Sequence, residues 1–268
     1  MHSLLKTVFA VISLSLAIFP LFFVKYAAAL EKDEKPNLVI VIDDIGHHRT
    51  AAESALALPG NLTLALLPFT PFSKEVAIKA PDSGKEIILH SPMSAISMHK
   101  NPGLGALTSA HDEENFLQTL NAQLNFLPGV RGVSNHMGSA LTSQKIPMQW
   151  LMEQLKLRNL YFLDSRTTKL SKAARVAEAN GVPYLERKFF LDNVVNQQAI
   201  IRKIEEAVNY SRKEGLAVAI GHPYPETLML LSERLPEIER NGVDLVWASQ
   251  ALTEPSSLID ENFKYSAR

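Results

Sequence analysis

The dipeptide Asp43-Asp44 ends an unbroken apolar run in "NLVIVIDDIGHH", and a carboxylate pair at the end of a buried strand needs something to compensate its charge. Further along, His90 lies in "EIILHSPM", Asn135 and His136 in "GVSNHMGS", Asp164 and Arg166 in "LYFLDSRT", and His222 in "AVAIGHPYPET". Each has an ordinary structural explanation taken singly. An Asp after a strand caps the next helix, and a lone His hydrogen-bonds within a loop. Their coincidence carries the argument: three histidines and three aspartates, each following an apolar run, suit a divalent cation held by an Asp and two His, with positions left open for water. The chain has no cysteine, so any metal takes nitrogen and oxygen donors and no disulfide braces the fold. His47, His48, His99 and His111 lie in polar stretches without a strand before them and are expected in solvent.

The elements that must position these groups are short apolar runs at Leu38 to Ile42, Leu62 to Leu67, Glu86 to Leu89, Gly132 to Ser134, Leu160 to Leu163, Val182 to Leu185, Leu216 to Ile220 and Asp244 to Trp247. Helical periodicity fills the gaps. In "QQAIIRKIEEAVNYSRKEG", Ile200, Ile204, Ala207 and Val208 form one stripe and Gly215 a stop; in "DEENFLQTLNAQLNFLPG", the stripe is Phe116, Leu120, Leu124 and Leu127, ended by Pro128-Gly129. Strand and helix alternate, which predicts a parallel sheet with crossover helices, either an open doubly wound sheet or a closed barrel. The number of units, together with the lack of a G-x-G-x-x-G turn or a P-loop, favours the barrel. In that fold the loops after the strands build the site, and the polar residues above fall there.

The chain of 268 residues is 46 % apolar and can bury a sizeable core. Lys6, the apolar run from Val8 to Val24, and small residues at Ala27 and Ala29 have the layout of a signal peptide over residues 1–29, followed by a charged linker to residue 36. An uncleaved membrane anchor is the alternative, since the apolar run approaches the length of a bilayer span. Either form exports the body of the protein, to the periplasm in a Gram-negative host. Cleavage removes Lys6 and Lys25, leaving 25 basic against 28 acidic residues and a net charge of −3, which argues against a nucleic-acid partner.

Taken together, "VIDDIG", "LHSPM", "SNHMGS", "FLDSRT" and "AIGHP" resemble the divergent polysaccharide deacetylase family, exported bacterial relatives of the NodB-type carbohydrate esterases. The likeness runs from about Asn37 to Leu252, leaving 253–268 as a tail. It implies a distorted (β/α) barrel of about seven parallel strands, a divalent metal, most often zinc, and a polysaccharide or amino-sugar glycan as substrate. It further implies Asp43 as general base and Asp44 as metal ligand with His90. Typical NodB enzymes carry a second metal histidine four residues after the first, where this chain has Ser94; His136 is the replacement that the family pattern suggests. On this reading His222 protonates the leaving amine, Asp164 pairs with its imidazolium, and Asn135 and Arg166 orient ligands or substrate. The alternative is a non-catalytic envelope module that binds glycan or protein on the same fold. Intact-mass measurement on protein purified from its own envelope tests the export reading: loss of residues 1–29 is expected, and a mass that retains them overturns cleavage.

Overall fold

The computed structural model describes residues 35–97, 99 and 101–252. The expected signal peptide, most of the linker and the C-terminal tail lie outside the described residues. In chain order the elements are β1 (Asn37–Ile45), α1 (Arg49–Leu56), β2 (Leu62–Leu66), α2 (Ser73–Lys79), β3 (Lys85–Met93), α3 (Glu113–Phe126), β4 (Gly132–Met137), α4 (Lys145–Leu157), β5 (Tyr161–Asp164), α5 (Ala173–Asn180), β6 (Tyr184–Glu186), β7 (Phe189–Phe190), α6 (Gln197–Glu214), β8 (Leu216–Gly221), α7 (Pro225–Arg240), β9 (Asp244–Leu245) and α8 (Ala248–Ala251). Every strand pair is parallel. The fold is a distorted (β/α) barrel.

Its closure explains the strand count. The order is β6-β5-β4-β3-β2-β1-β8-β7, with β9 added beside β1, so β6 and β7 are the two ends of the sheet. Only Arg187 and Lys188 separate them in the chain. The Arg187 N–H donates to the Asp164 carbonyl at the end of β5, and the Lys188 N–H to the Val218 carbonyl of β8. One extended run therefore changes partners midway, and nine hydrogen-bonded strands make a ring of seven staves plus β9. The two-residue β7 is the piece that sequence periodicity does not predict, being too short to display a period.

Alternation along each strand sorts the core into two layers. Leu38, Ile40 and Ile42 face the helices, while Val39 and Val41 join Ala65, Ile88, Leu163, Val218 and Ile220 inside the barrel. The helices bury the predicted stripes: Phe116, Leu120 and Leu124 on α3, and Ile200, Ile204, Ala207 and Val208 on α6. Asp112 and Asn196 cap these helices by accepting from the Asn115 and Ala199 N–H groups. At the barrel floor the buried Glu86 accepts from Thr63, Tyr161 and the Ser249 N–H, so the segment after β9 plugs the end away from the polar rim.

Just past Asp43-Asp44, Gly46 has φ 138°, and a Cβ there would run into Thr70 Oγ1. Its carbonyl accepts from the Phe72 N–H, tying the turn to the start of α2. Only glycine meets both demands. Gly46→Ala is expected to lower unfolding free energy by about 2–4 kcal/mol, the sum of backbone strain and overpacking. Urea denaturation checks this, and unchanged stability would show that the turn relaxes.

Candidate functional site

Inward alternation carries Asp43 into the barrel behind Val39 and Val41, and by the same rule Asp44 should face the helices. A β-bulge prevents this. The β1–β2 register steps from Ile42↔Leu64 to Ile45↔Leu66, and Asp44 adopts φ 59°, a left-handed conformation that Asp tolerates better than most residues. Both carboxylates consequently face one cavity, Asp43 buried and Asp44 partly open to it.

His90 reaches the same space by alternation from Ile88. Its Nδ1 bonds with Ser134 Oγ at 2.7 Å, and its Nε2 lies 3.2 Å from Asp44 Oδ1 and 3.5 Å from Asp43 Oδ2. His136 Nδ1 stands 2.7 Å from the same Asp44 Oδ1, with the two imidazoles edge-to-face at 5.1 Å. Asp44, His90 and His136 thus offer one donor atom each within 4.8 Å of one another. Asp44 Oδ1 is buried and has no hydrogen bond of proper geometry despite two imidazole nitrogens beside it, and Asp43 Oδ1 is likewise without a partner. A buried carboxylate oxygen that two imidazole nitrogens approach without a well-aligned hydrogen bond fits a cation, and one carboxylate with two imidazoles is an N/O set suited to zinc and its neighbours.

The electrostatics agree with that fit. Burial pushes the Asp43 pKa up, outweighing the nearby His90. Burial acts the same way on Asp44, but its two imidazole neighbours win and hold it well below the usual carboxylate range. For His90, burial disfavours the charged form and the two aspartates more than compensate, raising its pKa.

Across the cavity stands His222, its Nε2 4.0 Å from Asp44 Oδ2. Its partner is Asp192. His222 Nδ1 lies 2.8 Å from Asp192 Oδ1, while Asp192 Oδ2 accepts from the His222 backbone N–H at 2.6 Å and from Thr227 Oγ1 at 2.9 Å. Burial lowers the His222 pKa, yet Asp192 overrides it and pushes it up to about 9. Phe190 stacks on the ring at 5.9 Å.

This corrects the expected pairing of His222 with Asp164. The buried Asp164 is instead held at the end of β5, accepting from the Arg166 N–H at 2.8 Å and from Ser171 Oγ at 2.6 Å. Asp192 escapes the sequence reading because it follows the two-residue β7 in "FFLDN", where the apolar run of three residues is too short to announce a strand end. Asn135 ties two rim loops together, its Nδ2 donating to the Met137 carbonyl at 2.7 Å and its Oδ1 accepting from the Ser165 N–H at 2.9 Å. Arg166 pairs with Glu186 at 3.2 Å. His47, His48 and His99 are exposed as expected; His111 is half-buried, with its Nδ1 out of solvent. Ser94 has become a loop anchor, its N–H donating to the Leu107 carbonyl and its own carbonyl accepting from Ala140 and Leu141.

The cavity holds about 440 Å³ and opens at the rim, between Ala95, Ile96 and Ser97 of the loop after β3 and Thr167 and Phe190 opposite. The divergent polysaccharide deacetylase model matches residues 40–252. The chain is 36 % identical to the uncharacterized protein YibQ of Escherichia coli (strain K12) over 222 residues, covering 82 % of this chain and 68 % of that one. It is 34 % identical to an uncharacterized protein of Haemophilus influenzae, covering 83 % and 81 %. Among solved structures, an uncharacterized protein of Agrobacterium tumefaciens C58 superposes with a TM-score of 0.79 at 22 % identity, over 81 % of this chain and 89 % of that one. The catalytic domain of a peptidoglycan N-acetylglucosamine deacetylase from Eubacterium rectale has the same fold, with a TM-score of 0.51 at 11 % identity over 80 % and 88 %. The sequence match across almost all the described residues, on a barrel with this rim, shows that the chain belongs to the divergent polysaccharide deacetylase family.

Proposed function

We propose that the protein is an exported, metal-dependent hydrolase that removes acetyl groups from an amino-sugar glycan of the envelope or extracellular matrix. The observation that carries this reading is the opposition, across one open cavity, of the Asp44–His90–His136 donor set and the Asp192-backed His222, with Asp43 buried between them. The substrate class is supported by the family match and by the name of the E. rectale neighbour.

Asp44, His90 and His136 would hold the cation, most suitably zinc, which when bound lowers the pKa of a coordinated water and polarises an amide oxygen. Ser134 fixes the His90 ring so that Nε2 faces the site. Asp43, its pKa raised by burial, takes a proton from the attacking water as the water oxygen bonds to the acetyl carbon. His222, kept cationic by Asp192, then gives a proton to the amide nitrogen as the C–N bond breaks. Acetate and a free amine leave, and transfer of the proton from Asp43 back to His222 resets both groups.

A second reading has one specific observation behind it. Ser94, where typical relatives carry a second metal histidine, is built into the loop scaffold, and a Bacillus anthracis neighbour with a TM-score of 0.50 is named as a pseudoenzyme whose activity a mutation restored. A glycan-binding module on this fold would keep the cavity without turnover.

Replacing His90 or His136 with Ala is expected to abolish metal retention after dialysis, whereas His99→Ala leaves it intact; undiminished metal in both site variants would refute the donor set. His222→Ala and Asp43→Asn should retain metal and slow acetate release by roughly 10²- to 10⁴-fold. Failure of the metal-loaded wild type to release acetate from acetylated amino-sugar oligomers that it binds would select the binding module instead.

Asp192→Asn tests the ion pair through stability. The His222 pKa is raised on folding from 6.5 to about 9, so the pair's contribution is fully present below about pH 6.5 and is lost as pH rises through 9. In metal-free protein the variant should be less stable by about 2 kcal/mol at pH 6, with the deficit shrinking by pH 10. A deficit independent of pH would show that Asp192 acts only through its backbone and Thr227 contacts.

A further inference from the structure

The reaction above leaves Ser165 unused, although it lines the cavity with Asp43, His90 and His222. The residue is 2 % exposed. Its backbone is pinned on both sides: its N–H donates to Asn135 Oδ1 at 2.9 Å, and its carbonyl accepts from Arg187 Nε at 2.7 Å. Arg187 is itself fixed, donating to the Arg166 carbonyl at 2.9 Å and lying 3.7 Å over the Phe190 ring. The Ser165 hydroxyl is nevertheless buried with no hydrogen-bond partner in the protein.

Ser143 and Ser211 satisfy their hydroxyls locally on the Ala140 and Val208 carbonyls, and the other serine hydroxyl that is buried without a partner among the described residues, that of Ser94, does not line the cavity. A buried hydroxyl that is held in place but not satisfied costs stability, and such groups call for a functional explanation. Its neighbours narrow that explanation. Asp44 as a carboxylate can only accept, the proton that Asp43 takes from water is the one returned to His222, and the Asn135 amide is tied to two rim loops, its Oδ1 accepting the Ser165 N–H and one of its two Nδ2 protons going to the Met137 carbonyl. The Thr167 hydroxyl donates to the Met137 carbonyl. The His222 proton is the one assigned to the leaving nitrogen. Ser165 is a buried neutral donor of this wall whose hydroxyl has no partner in the protein, on a backbone tied at both its N–H and its carbonyl.

We propose that Ser165 is a catalytic hydrogen-bond donor, its Oγ–H directed at the carbonyl oxygen of the acetylamino group, the oxygen that gains negative charge as water adds. The assignment rests on the deacetylase reading. It gives the site a preorganised donor of the kind that stabilises a developing oxyanion, set in a water-poor wall. The stability cost of the unsatisfied hydroxyl in the free protein is the counterpart of that role.

Ser165→Ala separates the possibilities with two readouts. In metal-free protein its Tm should rise by about 2–4 °C, because an unsatisfied buried hydroxyl is removed. In the metal-loaded protein, kcat for acetate release should fall by roughly 10²- to 10³-fold, with KM and metal content little changed. Ser165→Cys, of similar size and with a weaker donor, should fall between wild type and Ser165→Ala in kcat. A lower Tm for Ser165→Ala, or its failure to fold, would make Ser165 a structural residue and overturn the proposal. A raised KM with unchanged kcat would overturn it in favour of a ground-state contact with the sugar. A variant as active as an active wild type refutes the role of Ser165 alone; a wild type that releases no acetate refutes the deacetylase reading and this role with it.

Discussion

Two carboxylates side by side at the bottom of a recessed cavity repel each other and lose hydration, and the architecture around Asp43 and Asp44 follows from that constraint. Every strand end that meets the cavity from β3, β4 or β8 presents an imidazole to them, His90, His136 and His222. The β1 bulge creates the problem by turning Asp44 inward beside Asp43, and the histidines answer it with a graded response. Asp44, in contact with two rings, is strongly favoured as an anion; Asp43, deeper and in contact with one, is pushed toward protonation. Neighbouring residues with identical side chains thereby acquire different chemical characters. Depth and neighbours set the difference.

The fold was legible because its signals are local. Apolar runs of strand length alternating with helical stripes are readable within a window of a dozen residues, and the stripes of α3 and α6 are the ones buried. The residues brought together at the rim were legible for a related reason: in a parallel barrel all strands point the same way, so polar groups that end apolar runs are bound to meet. Asp43, Asp44, His90, His136 and His222 all satisfy that rule.

What escaped was non-local. Asp192 and His222 are thirty positions apart, and nothing in the spacing distinguishes Asp192 from Asp164 as the partner of the histidine. Asp164 had the stronger signal, four strand residues ending in "LD", and it is nonetheless committed to its own loop through Ser171. The left-handed turn at Asp44 was equally hidden, since it depends on how β1 registers against β2 and not on any residue type at the position. The free hydroxyl of Ser165 is a property of its surroundings in three dimensions, and "FLDSRT" reads the same whether that hydroxyl is bonded or not.

The stave that changes partners at Arg187-Lys188 has a consequence for how the two halves of the rim can diverge. The donor set rests on β1, β3 and β4 and His222 on β8, all within one continuous ladder, whereas Asp192 follows β7, the end strand of that ladder, just after the junction. The join between β6 and β7 is covalent and only two residues long. An insertion or deletion there would slide Asp192 along His222 while leaving Asp44, His90 and His136 in register. The barrel is thus a chassis with a seam, and the seam lies beside the carboxylate that backs His222, so that the partner of the histidine can be rewritten while the rest of the rim is inherited.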